Sequence, residues 1–223
     1  MVSIDTVYQK VLMFANKEQR GYVTPQEFNL FADQAQKEIF EQYFYDLNQL
    51  SRISSNNKEY SDIVDNLNEK IAIFETTGTI TLDIFDNTDI YRLGTVYDSS
   101  NTEVEEVQAN EILYLNKSPL TAPTDSRPVY VRTGENSITS YPAYATLNCN
   151  YIKVPVKPNW AYVVVGGKAM YDSTNVTNFE LHPAEESELV YKILKFAGVS
   201  MKRDDIMKAG QGLDMAQLQL EKQ

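Results

Sequence analysis

The hydrophobic period of this chain changes twice, and that limits its fold more than any other feature. Up to about residue 69 the apolar residues recur at helical spacing, from 70 to about 180 they alternate as in strands, and beyond Pro183 the helical spacing returns. Helices at both ends of one chain must bury their apolar stripes, and the partners available to them are each other. The pattern therefore predicts an α+β protein. Terminal helices pack as a small helical bundle around an inserted antiparallel β module, and an extended C-terminal helical arm follows. The expected parts are an N-terminal helical part at 1–69, the β module at 70–180, and C-terminal helices and arm at 181–223 that pack with the N-terminal helices. No internal repeat of fixed period is present.

The clearest single element begins at Thr24-Pro25-Gln26-Glu27, a capping box with proline at the first helical position. The long helix predicted from it spans 24–50. Phe28, Phe31, Ala35, Ile39, Tyr43, Leu47 and Leu50 form one stripe, and Ala32, Phe40 and Phe44 a second beside it, wider than one packing partner covers. A shorter helix is expected over 3–16, capped by Ser3 or Asp5, and a weak helical turn through Ile63 and Leu67. Thr76-Thr77-Gly78 reads as a hairpin turn between strands 71–75 and 79–84. Further strands are expected at 91–97, 103–107, 129–132, 137–141 and 145–154, with a short helix at 109–116 and a proline-rich loop at 119–128. Tyr162 to Tyr171, centred on Gly166-Gly167, is the strongest hairpin, because a two-residue loop requires positive φ. Pro183 opens a C-terminal helix that Gly198 is expected to stop.

Composition narrows the chemistry. With one His and one Cys, a Cys/His zinc site and an internal disulfide are both excluded, and a nucleophilic triad has only His182 to draw on. A net charge of −11 without any block of Lys or Arg argues against a nucleic-acid surface. No apolar stretch approaches the roughly 18–20 residues that cross a membrane, and the first residues lack the basic and apolar regions of a signal peptide. The charge is uneven: residues 1–135 hold 22 acids and 11 bases, and residues 136–223 hold 9 of each.

Five features invite a chemical reading. Asn16 to Phe28 mimics a calcium-binding loop, with Gly21 sixth and Glu27 twelfth, but Arg20 occupies a ligand position, so a helix-turn-helix connection closed by Thr24 is favoured. Asp83, Asp86 and Asp89 could hold a hard cation and are more simply a solvated turn. His182, beside Pro183, reads as a helix cap, and Cys149 as sheet packing. Gly166-Gly167 lacks phosphate-loop spacing. Neither a metal site nor a cofactor is expected, and no enzyme.

The stretch Ile4-Asp-Thr-Val-Tyr-Gln-Lys-Val-Leu, followed by Asn16-Lys-Glu-Gln-Arg-Gly-Tyr-Val-Thr-Pro-Gln-Glu-Phe-Asn-Leu-Phe-Ala-Asp-Gln-Ala-Gln, resembles tailed-bacteriophage virion proteins, particularly those of crAss-like phages. Phe179-Glu-Leu-His-Pro-Ala-Glu-Glu-Ser-Glu-Leu-Val-Tyr-Lys-Ile-Leu-Lys-Phe-Ala-Gly-Val is similar to a run in the same proteins. The chain looks most like the ring, or head-to-tail adaptor, proteins of the neck. The resemblance covers about 70 residues at the two ends. It implies a non-enzymatic virion protein, made in the host cytoplasm and built into the neck or tail region. Such a subunit belongs to a homo-oligomeric ring, with a dodecamer as one option. The ring stacks on the portal protein and other neck or tail proteins, and its channel passes DNA without binding it specifically. In that setting Phe28, Phe31, Phe40, Tyr43 and Phe44 are the candidate subunit interface, and Ile206, Leu213, Leu218 and Leu220 the candidate docking arm. The alternative is a tail- or fibre-associated virion protein whose Tyr-rich β module binds a glycan or another virion protein.

Overall fold

The computed structural model describes residues 1–15, 23–52, 58–200 and 204–221. The protein is α+β and divides into two compact units, residues 1–73 with 155–223, and residues 74–154. The β unit is thus shorter at its C-terminal end than the expected 70–180. Segment 155–180 returns to the helical unit, for a reason visible at Gln36 below.

In the helical unit α1 (Ile4–Ala15) buries Ile4, Val7, Tyr8, Val11 and Ala15. Its first amide is capped from far along the chain, since Ile4 N–H donates to Asn178 Oδ1 at 3.1 Å. α2 (Pro25–Arg52) starts on the expected capping box. Glu27 N–H donates to Thr24 Oγ1 at 3.3 Å, and Thr24 N–H donates back to Glu27 Oε2 at 3.0 Å. α3 (Lys58–Ala72) is a full helix where the sequence suggested a weak turn, and it buries Leu67 and Ile71.

The β unit holds β1 (Glu75–Thr81), β2 (Ile84–Phe85), β3 (Ile90–Tyr97), β4 (Glu103–Glu106), α4 (Glu111–Leu115), β5 (Val129–Arg132), β6 (Ile138–Tyr141) and β7 (Thr146–Lys153). The sheet order is β2-β1-β7-β3-β4-β5-β6. Every pair is antiparallel except β4 with β5, whose parallel crossover carries α4. The two outermost strands also meet: Phe85 N–H donates to the Asn136 carbonyl at 3.1 Å, and Ile138 N–H to the Asp83 carbonyl at 2.9 Å. The sheet therefore closes into a barrel where β2 meets β6. Ile80, Phe85, Val96, Val104, Tyr130, Ile138, Leu147, Cys149 and Tyr151 fill its interior. Alternate residues point outward, and Val129 and Val131 pack under Ile112 of α4.

Thr76-Thr77-Gly78 is not a turn. β1 runs straight through it with Gly78 opposite Cys149, and the glycine is there because the Tyr151 ring lies over it: a Cβ would sit 2.8 Å from Tyr151 Cε1. The turn falls instead at Leu82-Asp83, with φ of 51° and 66°, the positive pair of a two-residue hairpin loop.

Back in the helical unit come β8 (Tyr162–Val165) and β9 (Lys168–Tyr171), a separate two-stranded sheet. A 3₁₀ turn at Pro183–Glu185 leads into α5 (Glu186–Ser200), which buries Leu189, Val190, Ile193, Leu194 and Ala197. α5 passes through Gly198 without stopping. The C-terminal arm is α6 (Asp204–Glu221), and its inner face is fastened to α5. At Gly210 a Cβ would lie 2.9 Å from Lys195 N and 3.2 Å from Tyr191 O, whereas at Gly212 it would meet nothing within 4 Å. Gly210→Ala must push backbone away and is expected to destabilise by about 1–3 kcal/mol. Gly212→Ala replaces a poor helix former on an open face and is expected to stabilise by up to about 1 kcal/mol. Thermal unfolding followed by circular dichroism checks the pair, and stabilisation by both would mean that α6 does not sit on α5 through Gly210.

Candidate functional site

The broad apolar face of α2 is consumed within its own unit. Phe28, Phe40 and Tyr43 are buried. Phe28 lies 4.7 Å from the Tyr8 ring, and Lys70 Nζ lies over the Tyr43 ring at 5.5 Å. Phe31 is half-buried beside Phe196, at 6.3 Å, and Phe44 half-buried edge-on to Phe40, at 5.0 Å. Phe28, Phe40 and Tyr43 are therefore spent on the unit's own core, whereas Phe31 and Phe44 keep part of their surface exposed. The second stripe exists because α2 contacts α1 on one side and α5 and α3 on others. In the candidate arm, Leu213 is exposed together with Met215, while the side chains of Ile206, Leu218 and Leu220 lie outside the described residues.

The calcium-loop reading meets a direct obstacle at Glu27, whose carboxylate is engaged in the capping box. The Thr24 hydroxyl, and after it the Thr24 amide, hold that carboxyl below its ordinary range. Residues 16–22 lie outside the described residues. Asp83 Oδ1 accepts from Ser140 Oγ at 2.8 Å, Asp86 Oδ2 accepts from the hydroxyls of Thr79 and Thr81, and the Asp89 carbonyl accepts from Val154 N–H. They fasten the barrel's turns separately. Among the described residues no group of three His, Cys, Asp or Glu is placed to hold a metal ion. His182 caps its turn, with Nδ1 accepting from Ala184 N–H at 3.2 Å. Cys149 is buried in the barrel, and that burial pushes its thiol up. Among the described residues no helix is long and apolar enough to cross a membrane.

The surface that stands out is the hairpin Tyr162–Tyr171. Its root is anchored by Trp160, a buried residue whose indole N–H donates to Asp5 Oδ1 at 2.9 Å and whose backbone N–H donates to Asn29 Oδ1 at 2.8 Å. The Trp160 ring lies 6.0 Å from Tyr162 and 5.7 Å from Tyr171, one at the base of each strand. Gln36 fixes the segments on either side. It is fully buried, its Nε2 donates to the Val156 carbonyl at 2.8 Å, and its Oε1 accepts from Glu180 N–H at 3.1 Å. This is why 155–180 belongs with the helices.

Beyond the root the hairpin has no core. Val163, Val164, Val165 and Met170 are 54–62% exposed, with consecutive valines exposed on both faces of the ribbon. At the tip Gly166-Gly167, with φ of 60° and 79°, a Cβ would meet nothing within 4 Å, and the exposed Lys168 follows. Isolated two-stranded ribbons are marginal in water, so the anchored root is what positions this one.

The β unit carries a different feature. A cavity of about 990 Å³ lies on the outside of the barrel beside α4, lined by Glu103, Glu105, Glu111, Arg127, Tyr114 and Val129, among others. β4, with sequence Glu-Val-Glu-Glu, turns Val104 inward and Glu103 and Glu105 outward. That alternation is legible in the sequence, where Val104 stands between acids. The role of Trp160 had no local signal, because its partners Asp5 and Asn29 are 155 and 131 residues away. No protein-family model matches the chain, and no curated protein matches it.

Proposed function

We propose that this protein is a structural component of a tailed-bacteriophage virion, one subunit of an oligomeric ring that joins head to tail and continues the portal channel. The observation that carries the reading is the hairpin Tyr162–Tyr171. A chain with two filled cores still holds a rooted ribbon of valines out in water, and contiguous exposed apolar surface of this kind marks interaction sites. A subunit in an assembly buries it.

The strings at the two ends that resemble neck ring proteins supply the kind of assembly. Charge agrees with it: a surplus of acid in residues 1–135 suits a channel that passes DNA without adhesion. Leu213 and Met215, on the outward side of α6, are the described residues available for docking on the portal or a neighbouring ring. In this role the protein works by shape, and its chemistry is that of its interfaces. Electron microscopy of the full chain, alone and mixed with the portal protein of the same phage, tests the proposal. Rings that stack on the portal are expected, and single subunits in both samples would contradict it.

A further inference from the structure

We propose that the hairpin tip of one copy docks into the acidic cavity beside α4 on the next copy, with Lys168 facing Glu103, Glu105 and Glu111. This deepens the ring reading and rests on it.

The argument starts from charge. At −11 per chain, copies repel one another, so contact has to use a surface poor in acid on one side. Tyr162-Val-Val-Val-Gly-Gly-Lys-Ala-Met-Tyr171 contains no acid and one base. The cavity offers the opposite: three glutamates against Arg127, so a net negative wall, with Val129 and Tyr114 as its apolar part. A cationic, apolar ribbon thus meets an anionic, partly apolar recess on the same chain type.

Size points the same way. The exposed side chains of the hairpin make an apolar patch on the order of 300–600 Å², the scale of functional patches on monomers. That is about half of the roughly 800 Å² that one partner contributes to a stable interface. The exposed Tyr114 lines the recess, and Leu113 and Leu120, next in sequence to its lining residues Tyr114 and Thr121, are exposed too and offer further apolar surface for the remainder. The recess offers the hairpin both parts of what it needs, carboxylates for Lys168 and apolar wall for the valines. Hairpin and recess are different surfaces, so the contact is head-to-tail, the kind that propagates around a ring.

The test uses the full chain, mixed as light and ¹⁵N-labelled copies and treated with a zero-length carbodiimide reagent. The expected product joins Lys168 of one isotope to Glu103, Glu105 or Glu111 of the other. Lys168→Glu is expected to weaken self-association about tenfold with an unchanged unfolding midpoint, because Lys168 is exposed. Glu105→Lys is expected to do the same, and Lys168→Glu combined with Glu105→Lys to restore assembly. An oligomer whose mass is unaffected by Lys168→Glu and which shows no such crosslink would overturn the docking and leave the ring standing. Crosslinks confined to copies of one isotope would also overturn it, by showing an intramolecular contact. A wild-type chain that stays monomeric without crosslinks would overturn ring and docking together.

Discussion

Lys192→Ala is expected to destabilise the helical unit by about 3–5 kcal/mol, enough to lower its unfolding midpoint by on the order of 10 °C. Lys192 is buried between two buried acids, Glu188 one turn earlier on α5 and Asp214 on α6. Its Nζ lies 3.3 Å from Glu188 Oε1 and 3.3 Å from Asp214 Oδ1, distances of ion pairs that are long for hydrogen bonds. Deleting the cation leaves two desolvated carboxylates, Asp214 with Lys195 Nζ still 3.9 Å from its Oδ2, so the cost exceeds the value of the pair itself. Replacing all three by apolar residues, Lys192→Met with Glu188→Leu and Asp214→Leu, is expected to recover most of the loss. A triple variant no more stable than Lys192→Ala would show that the network is not what holds α6 down.

The same site gives the pH dependence. Burial acts to lower the Lys192 ammonium, but the Glu188 and Asp214 carboxylates outweigh it and raise the group above its ordinary 10.5. A folded-state value above the unfolded one means that the contribution is fully present below pH 10.5 and is lost as pH rises through the folded value. Stability of the helical unit is therefore expected to fall in that alkaline window, and the share of the fall that Lys192 contributes is expected to be absent from the triple variant.

Trp160→Ala is expected to cost about 3–5 kcal/mol as well, from the cavity left by a buried indole. Tyr8 loses a ring at 4.3 Å, Asp5 loses its donor, and both strands of the hairpin lose the ring against which Tyr162 and Tyr171 are set. Trp160→Phe keeps much of the packing and removes the indole N–H, so about 1–2 kcal/mol is expected. Since Trp160 is the single tryptophan, wild-type fluorescence follows its burial directly, and far-ultraviolet circular dichroism compares the variants. In Trp160→Ala the assembly is expected to weaken even at temperatures where the helices remain folded, because the hairpin has lost its root. Full assembly in that variant would detach the hairpin from the interface.

What the sequence disclosed and what it hid divide along range of interaction. The capping box at Thr24, the His182 cap and the Gly166-Gly167 hairpin are local devices, completed within a few residues, and each is where its residues predict. Gly78 misled because a glycine also serves where a ring from another strand needs room, and Tyr151 is 73 positions away. Leu82-Asp83 forms a turn without any glycine, held by Ser140 on a strand far along the chain. The two stripes of α2 were legible as excess apolar surface, but what covers them is decided by tertiary packing, and here the unit's own helices bury Phe28, Ile39, Phe40 and Tyr43 and leave Phe31 and Phe44 half-buried. Conversely, the hairpin reads as an ordinary pair of strands. Only the strand pairing shows that it forms a two-stranded sheet of its own, rooted at Trp160.

The measurement that bears most directly on the central claim is the mass of the purified full chain, by sedimentation or mass photometry at increasing concentration. A closed ring predicts one discrete high oligomer and little between it and the single subunit, since a head-to-tail contact that closes leaves no free ends. A single subunit at every concentration, or a continuous ladder of sizes with no preferred species, would contradict the account.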